Sequence, residues 1–77
     1  MNNEQPKNPT AYRLGRQIAE LRQLHGYSQR DVAAITGLKQ AQIYNMESGR
    51  YSTTVEAIAK VLDVLDCRLT ISAIPRI

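Results

Sequence analysis

Five residues between positions 39 and 45 have side chains that can contact the edges of base pairs: Lys39, Gln40, Ala41, Tyr44 and Asn45. On a helix with about 100° per residue the last four lie on one side, with Lys39 at the exposed start, whereas Ile43, Met46 and Glu47 lie on the other side. Gln and Asn amides can pair with adenine, Ala can touch a thymine methyl, and Lys can reach guanine or phosphate. The pattern predicts a helix over about 39–47 whose polar side fits the major groove of DNA.

The residue types that support catalysis or metal binding are scarce. His25 is the only histidine and Cys67 the only cysteine, so the sequence predicts no zinc site, no cofactor and no internal disulfide. Ser28 is placed to cap a helix, and we expect His25 to act as a favourable cation near a helix end. Together with Asp31 and Glu47 they form no plausible triad, so we expect no enzyme.

Three predicted helices and the two turns between them position the polar side of the helix over 39–47. Residues 1–9 are predicted to be a flexible tail, and a first helix over about 10–25 ends before Gly26. A second helix begins at Ser28, whose capping partner is Asp31, carries Val32, Ala33 and Ile35, and ends at Gly37. Two short helices joined by a tight turn that contains glycine are typical of a helix-turn-helix.

The remainder of the chain predicts a fourth helix and a strand. The helix begins near Thr53 or Thr54, with Thr53–Glu56 as a capping box, and continues to about Leu65. Residues 67–74 alternate apolar and polar side chains, as a strand does, and must pair with another chain or lie along a loop. A second apolar stripe on the helix favours pairing, which predicts a homodimer interface of Val61, Val64, Cys67, Leu69, Ile71 and Ala73.

Positive charge is concentrated in one part of this 77-residue chain of net charge +3. Between positions 7 and 50, seven Lys and Arg residues outweigh three Asp and Glu residues, whereas between 51 and 66 one Lys stands against three acids. We therefore expect the first part to lie near a polyanion. The sequence shows no apolar run long enough to span a membrane and no signal-peptide pattern, which leads us to expect a cytoplasmic protein without a membrane partner.

The stretch LGRQIAELRQLHGYSQRDVAAITGLKQAQIYNMESGR resembles the phage-repressor family of helix-turn-helix proteins, which includes lambda Cro, lambda repressor and Xre. The resemblance rests on Ser28–Gln29, Ala33, Gly37, Ile43 and the closing Glu47–Arg50, and it extends over about residues 12–65. The tail is similar to that of HipB-type and some HigA-type antitoxins, whose terminal strand pairs across a dimer. Lys39 departs from the family pattern, in which Ser or Thr often caps the third helix, and a strand replaces the usual fifth helix.

The resemblance implies roles for individual residues. It implies that the five residues named first read bases and that Gln29 contacts a phosphate at the start of the second helix. It also implies that Arg22 forms a structural ion pair with Glu47. We expect further phosphate contacts from Arg30, Gln42, Arg16, Arg50 and Tyr51.

These observations predict a mostly α-helical, lambda-repressor-like DNA-binding domain of four to five helices over 10–66, followed by a dimerisation strand and tail over 67–77. The expected function is that of a sequence-specific regulator of double-stranded DNA, a dimeric repressor on a palindromic operator. An autoregulating antitoxin with a cognate toxin is its sharper version. The alternative is a protein-interaction adaptor that uses the same fold without reading bases.

Overall fold

A computed structural model describes residues 9–49 and 53–70, and within these ranges it contains four helices. They are α1 (Pro9–Leu24), α2 (Gln29–Thr36), α3 (Gln40–Ser48) and α4 (Val55–Val64). Helix α3 packs against α1 and α2, and α2 also packs against α4. The prediction of a mostly helical domain with a helix-turn-helix is confirmed.

The capping predictions have two outcomes. Ser28 and Asp31 form the expected reciprocal box, in which Asp31 N–H donates to Ser28 Oγ and Ser28 N–H donates to Asp31 Oδ2, both at 2.9 Å. The predicted Thr53–Glu56 box is wrong, because Thr54 is the cap and its Oγ1 accepts from Ala57 N–H at 3.1 Å. The extended backbone of Thr54 (ψ 151°) places the helix start one residue later, so Ala57 occupies the third helical position.

The core lies between all four helices. Its fully buried side chains are Ile18, Val32, Ile43, Val61 and Leu65. Ile35 is 56% exposed, because α2 is short and directs Val32 and Ala33 into the core. The side of α2 that carries Ile35 faces outward, and this apolar side chain is exposed at the surface.

Residues after α4 leave the helix through a left-handed residue, Asp66, with φ of 56°. Cys67 N–H returns to the Leu62 carbonyl at 2.8 Å, which closes the helix end. Residues 67–70 belong to neither a helix nor a strand, and 71–74 lie outside the described residues. The predicted terminal strand stays a prediction.

Candidate nucleic-acid interface

Helix α3 separates its apolar and polar sides as the sequence pattern predicted. Ile43, Met46 and Glu47 are buried, with exposures of 0%, 4% and 6%. The opposite side carries the exposed Lys39, Gln40, Ala41, Gln42 and Tyr44, with Asn45 half-buried at its edge. The structure thus brings all five predicted base-reading residues together on one surface, which presents amide, amine and phenol groups.

The turn before α3 is held by polar bonds rather than by packing alone. Thr36 Oγ1 donates to the Val32 carbonyl at 2.8 Å and accepts from Leu38 N–H at 3.2 Å. Gly37 adopts φ of 80°, a backbone conformation that residues with a Cβ rarely adopt. These bonds fix the direction in which α3 leaves α2.

Gln42 supplies one half of a capping box at the start of α3. Its Oε1 accepts from Lys39 N–H at 2.8 Å, while Lys39 has no side-chain oxygen that could accept from the first turn. The amide nitrogen of Gln42 is the donor of this side chain, and it can still bind a phosphate oxygen. The exposed first turn of α3 still has free N–H groups, which favour an anion there.

Glu47 is at the centre of a polar network beneath the exposed surface. Arg22 binds it through two bonds, Nε to Oε2 at 2.6 Å and Nη2 to Oε1 at 3.0 Å. Arg22 Nη1 also donates to the Tyr27 carbonyl at 2.8 Å, and Gln29 Nε2 donates to Glu47 Oε1 at 3.0 Å. The hydrogen bond to Glu47 raises the pKa of Arg22, against the lowering effect of burial. The network ties α1, the α1–α2 turn, α2 and α3 together.

The predicted phosphate-contacting residues differ in their surroundings. Arg16 and Arg30 are exposed, and Gln29 is half-buried because its amide reaches Glu47. Arg50 and Tyr51 lie outside the described residues. Gln29 follows the capping Ser28 directly and begins α2, so it belongs to the first turn, whose N–H groups have no acceptor within the helix.

Two residues that the sequence pattern did not indicate help to place α3. A Cβ on Gly15 would lie 2.5 Å from the Met46 carbonyl oxygen and 2.6 Å from that of Glu47, so only glycine allows this approach of α1 to α3. Tyr27 provides the carbonyl that Arg22 binds, and its ring stacks with His25 at a centroid distance of 6.1 Å. A glycine inside a helical pattern is the signal that would have indicated the first contact.

The residues predicted for a dimer interface divide into three groups. Val61 is fully buried in its own chain and has no surface left for a second subunit, which corrects that prediction. Cys67 and Leu69 pack partly against the core of their own chain, and Val64 is half-buried. Ile71 and Ala73 lie outside the described residues.

A groove of about 430 Å³ runs between α1, Leu62 and the segment 67–70. Its apolar lining comes from Leu14, Ile18, Leu21, Leu62 and Leu69.

In the described ranges no group of His, Cys, Asp and Glu side chains could hold a metal ion. No helix among the described residues has the length and apolar character needed to cross a membrane.

Comparison with known proteins agrees with this geometry. A family model described as helix-turn-helix matches residues 18–71. No curated protein matches the sequence.

Among solved structures, the restriction-modification controller protein C.AhdI from Aeromonas hydrophila is 26% identical, with a TM-score of 0.74 over 79% of this chain and 92% of that one. A chain of the HipA–HipB–O2–O3 complex is 29% identical, with a TM-score of 0.74 over 90% of this chain and 97% of that one. The clp gene regulator ClgR from Corynebacterium glutamicum is 22% identical with a TM-score of 0.73 over 83% and 82% of the two chains, which shows a shared fold.

Proposed function

This chain belongs to the phage-repressor-like helix-turn-helix family, alongside HipB-type relatives, and we propose that it is a dimeric repressor that binds a palindromic operator. As a member of this family it is a DNA-binding transcriptional regulator and not an enzyme. The proposed points are that it reads a palindromic operator, that it binds as a dimer and that it represses transcription.

The observation that carries the proposal is the exposed side of α3. Lys39, Gln40 and Tyr44 point away from the core, while the buried Ile43 and Met46 hold the helix against α1 and α2. An adaptor that binds proteins through this helix would be expected to carry acidic or bulky apolar residues there. Apart from the phenol of Tyr44, the exposed groups are amides, an alanine methyl and an amine, which suit base edges better.

Selection from a random duplex pool tests sequence-specific binding. We expect a two-fold symmetric sequence whose half-sites are about one helical turn, roughly 34 Å, apart, since two copies of α3 would enter successive major grooves. With about 6 to 10 phosphate contacts per dimer, affinity should fall roughly 10³- to 10⁵-fold between 50 and 200 mM salt. Equal affinity for the selected duplex and a scrambled duplex would contradict the proposal.

Dimerisation through the C-terminal region is supported by its apolar surface. Val55 is 60% exposed on α4, Val64 is half-buried, and the groove beside Leu69 is open. In the proposed dimer, the terminal segments pair across a two-fold axis, and Val64, Cys67, Leu69, Ile71 and Ala73 contribute to the contact. Sedimentation of the full chain should report a dimer at the concentrations at which it binds DNA.

A more specific form of the proposed function is that of an antitoxin that represses its own operon. Its support is the likeness to HipB over 90% of this chain, because HipB is in a complex with HipA and O2–O3 in that structure. The test is to express the product of the neighbouring gene with and without this protein. Growth arrest that this protein relieves, together with a ternary complex on the selected duplex, would support the antitoxin role, and a harmless neighbour would contradict it.

A further inference from the structure

Glu47 is the only polar or charged residue that is buried among residues 9–49 and 53–70. Its carboxylate accepts three hydrogen bonds, two from Arg22 and one from Gln29. Arg22 provides the opposite charge and two of these three bonds. The bond from Gln29 is an additional one, and it comes from the residue that begins α2.

This third bond determines the orientation of the Gln29 amide. A carboxylate is an acceptor only, so the Gln29 nitrogen must face Glu47 and the Gln29 oxygen must face away from it. The nitrogen has two hydrogens, of which one is directed at Glu47 Oε1 and the second remains for another acceptor. A phosphate oxygen at the start of α2, where the free N–H groups attract an anion, is such an acceptor.

We propose that Glu47 is a positioning residue for DNA binding: it holds the Gln29 amide so that its second hydrogen is directed at a phosphate. This inference rests on the proposed function, because it assigns a role within the same DNA-binding surface. Glu47 lies on α3 and binds Gln29 on α2. The phosphate contact made by α2 therefore keeps a fixed position relative to the base contacts made by α3. Arg22 completes the arrangement, since it holds Glu47 and also the Tyr27 carbonyl just before α2.

The first test uses the intact chain labelled with ¹⁵N, without DNA. If Glu47 holds the Gln29 amide, the Gln29 side-chain NH₂ group should exchange with solvent more slowly than that of Gln23, which is exposed on α1. Equal exchange of the two side chains would show that Glu47 does not hold Gln29 and would overturn the proposal. This measurement needs no substitution and therefore no assumption about folding.

The second test is a mutant cycle on the duplex selected with the wild-type protein. Gln29→Ala should weaken binding about tenfold per subunit, as expected when a hydrogen bond to a charged group is removed, and Gln23→Ala should leave binding unchanged. Because Gln29 is neutral, the number of counterions released when the protein binds DNA does not change in this variant. The slope of log affinity against log salt concentration should therefore stay the same. Arg30→Ala, by contrast, should reduce the slope by about 0.9 for each phosphate that the protein no longer neutralises.

The cycle is completed by Arg22→Met/Glu47→Leu, which replaces the ion pair by apolar side chains of similar volume and so leaves no buried charge unpaired. In a folded double variant, binding should fall by the same factor as in Gln29→Ala, and adding Gln29→Ala should cost nothing more. If Gln29→Ala costs the same in both backgrounds, Glu47 does not act through Gln29. A wild-type chain that selects no duplex at all would instead contradict the proposed function.

Discussion

The helix-turn-helix, residues 28–49, and the C-terminal region, residues 54–70, are held in place by different kinds of interaction. The first is fixed by the Ser28–Asp31 box, the Thr36 bonds and the three bonds to Glu47. The second has one side-chain bond at each end of α4, to Thr54 Oγ1 and from the Cys67 thiol to the Leu65 carbonyl. Its position depends on the apolar packing of Ile58, Val61, Leu62 and Leu65. Polar bonds specify direction, whereas apolar packing chiefly supplies stability.

This difference indicates how the two regions contribute to binding. The helix-turn-helix meets its polar requirements within one chain, since no buried side-chain nitrogen or oxygen in the described ranges is without a hydrogen-bond partner. The C-terminal region leaves apolar area uncovered at Val55, Val64 and Leu69. We therefore expect a change in the first region to alter what one subunit recognises, and a change in the second to alter whether two subunits act together.

The largest expected effect is on affinity, from truncation after Asp66. If the proposed dimer forms through the terminal segment, each half-site is then bound alone, and affinity for the selected duplex should fall roughly 10²- to 10⁴-fold. Sedimentation should report a monomer or an unstable chain. A folded dimer with undiminished affinity would contradict the dimer model.

A longer truncation variant separates two causes of that effect. Cys67 and Leu69 pack against the core of their own chain, so removing them also costs stability. A chain that ends at Thr70 keeps both residues and removes only 71–77. If it melts like the full chain but sediments as a monomer, the missing residues form the interface.

The next effect is on stability, from Arg22→Ala. The Glu47 carboxylate would lose its cation while its side chain is only 7% exposed, which should cost about 3 to 5 kcal/mol of unfolding free energy. Thermal melting measures this change, and Arg13→Ala on the exposed side of the same helix is the matched control, expected to change stability by less than about 0.5 kcal/mol. An unchanged melting temperature for Arg22→Ala would mean that the ion pair is not formed in solution.

A smaller effect is expected on specificity. Gln40→Ala and Asn45→Ala should each cost about 1 to 3 kcal/mol of binding and blur the preference for one base in each half-site. Gln29→Ala should weaken all sequences by similar factors, because phosphate contacts carry little sequence information. Repeating the duplex selection with each variant tests these roles, and a changed base preference for Gln29→Ala alone would reverse them.

Apart from the Arg22–Glu47 ion pair, which the family resemblance implied, the features that the sequence predicted well are local ones. The start of α2, the end of α2 at Gly37 and the buried side of α3 each depend on residues within one or two turns of each other. The bond between Gln29 and Glu47 joins residues 18 positions apart, and the approach of Gly15 to the Met46 carbonyl joins two helices. Such contacts follow from how helices cross, which periodicity does not specify.

The same reasoning explains the error at Val61. A helical wheel shows that α4 has a broad apolar surface, but it does not show how much of that surface the chain's own core can cover. Helix α2 packs against α4, and Cys67 and Leu69 pack against the same core, in which Val61 and Leu65 are both buried. The apolar side chains of α4 that remain accessible are Val55, which is exposed, and Val64, which is half-buried, and they lie at the two ends of the helix.

The smallest effect concerns the Ser28–Asp31 box. Hydrogen bonds from the backbone and side chain of Ser28 lower the pKa of Asp31, so the folded state favours the ionised carboxylate. A group whose pKa is lower in the folded state stabilises at pH values above its unfolded pKa, about 3.9 for Asp, and this contribution is lost as the pH falls through the folded pKa. Asp31→Asn should therefore lower the melting temperature slightly near neutral pH, and the difference should disappear in acid.

Melting curves of the wild type and Asp31→Asn, recorded from about pH 7 down to about pH 3, measure this difference across the ordinary titration range of Asp. Asp63→Asn is the matched control, because it removes the same charge from the exposed C-terminal half of α4, where a negative charge opposes the helix dipole. We expect this control to melt at the same or a slightly higher temperature near neutral pH. A difference between wild type and Asp31→Asn that persists unchanged at about pH 3 would show that the carboxylate charge does not cause it.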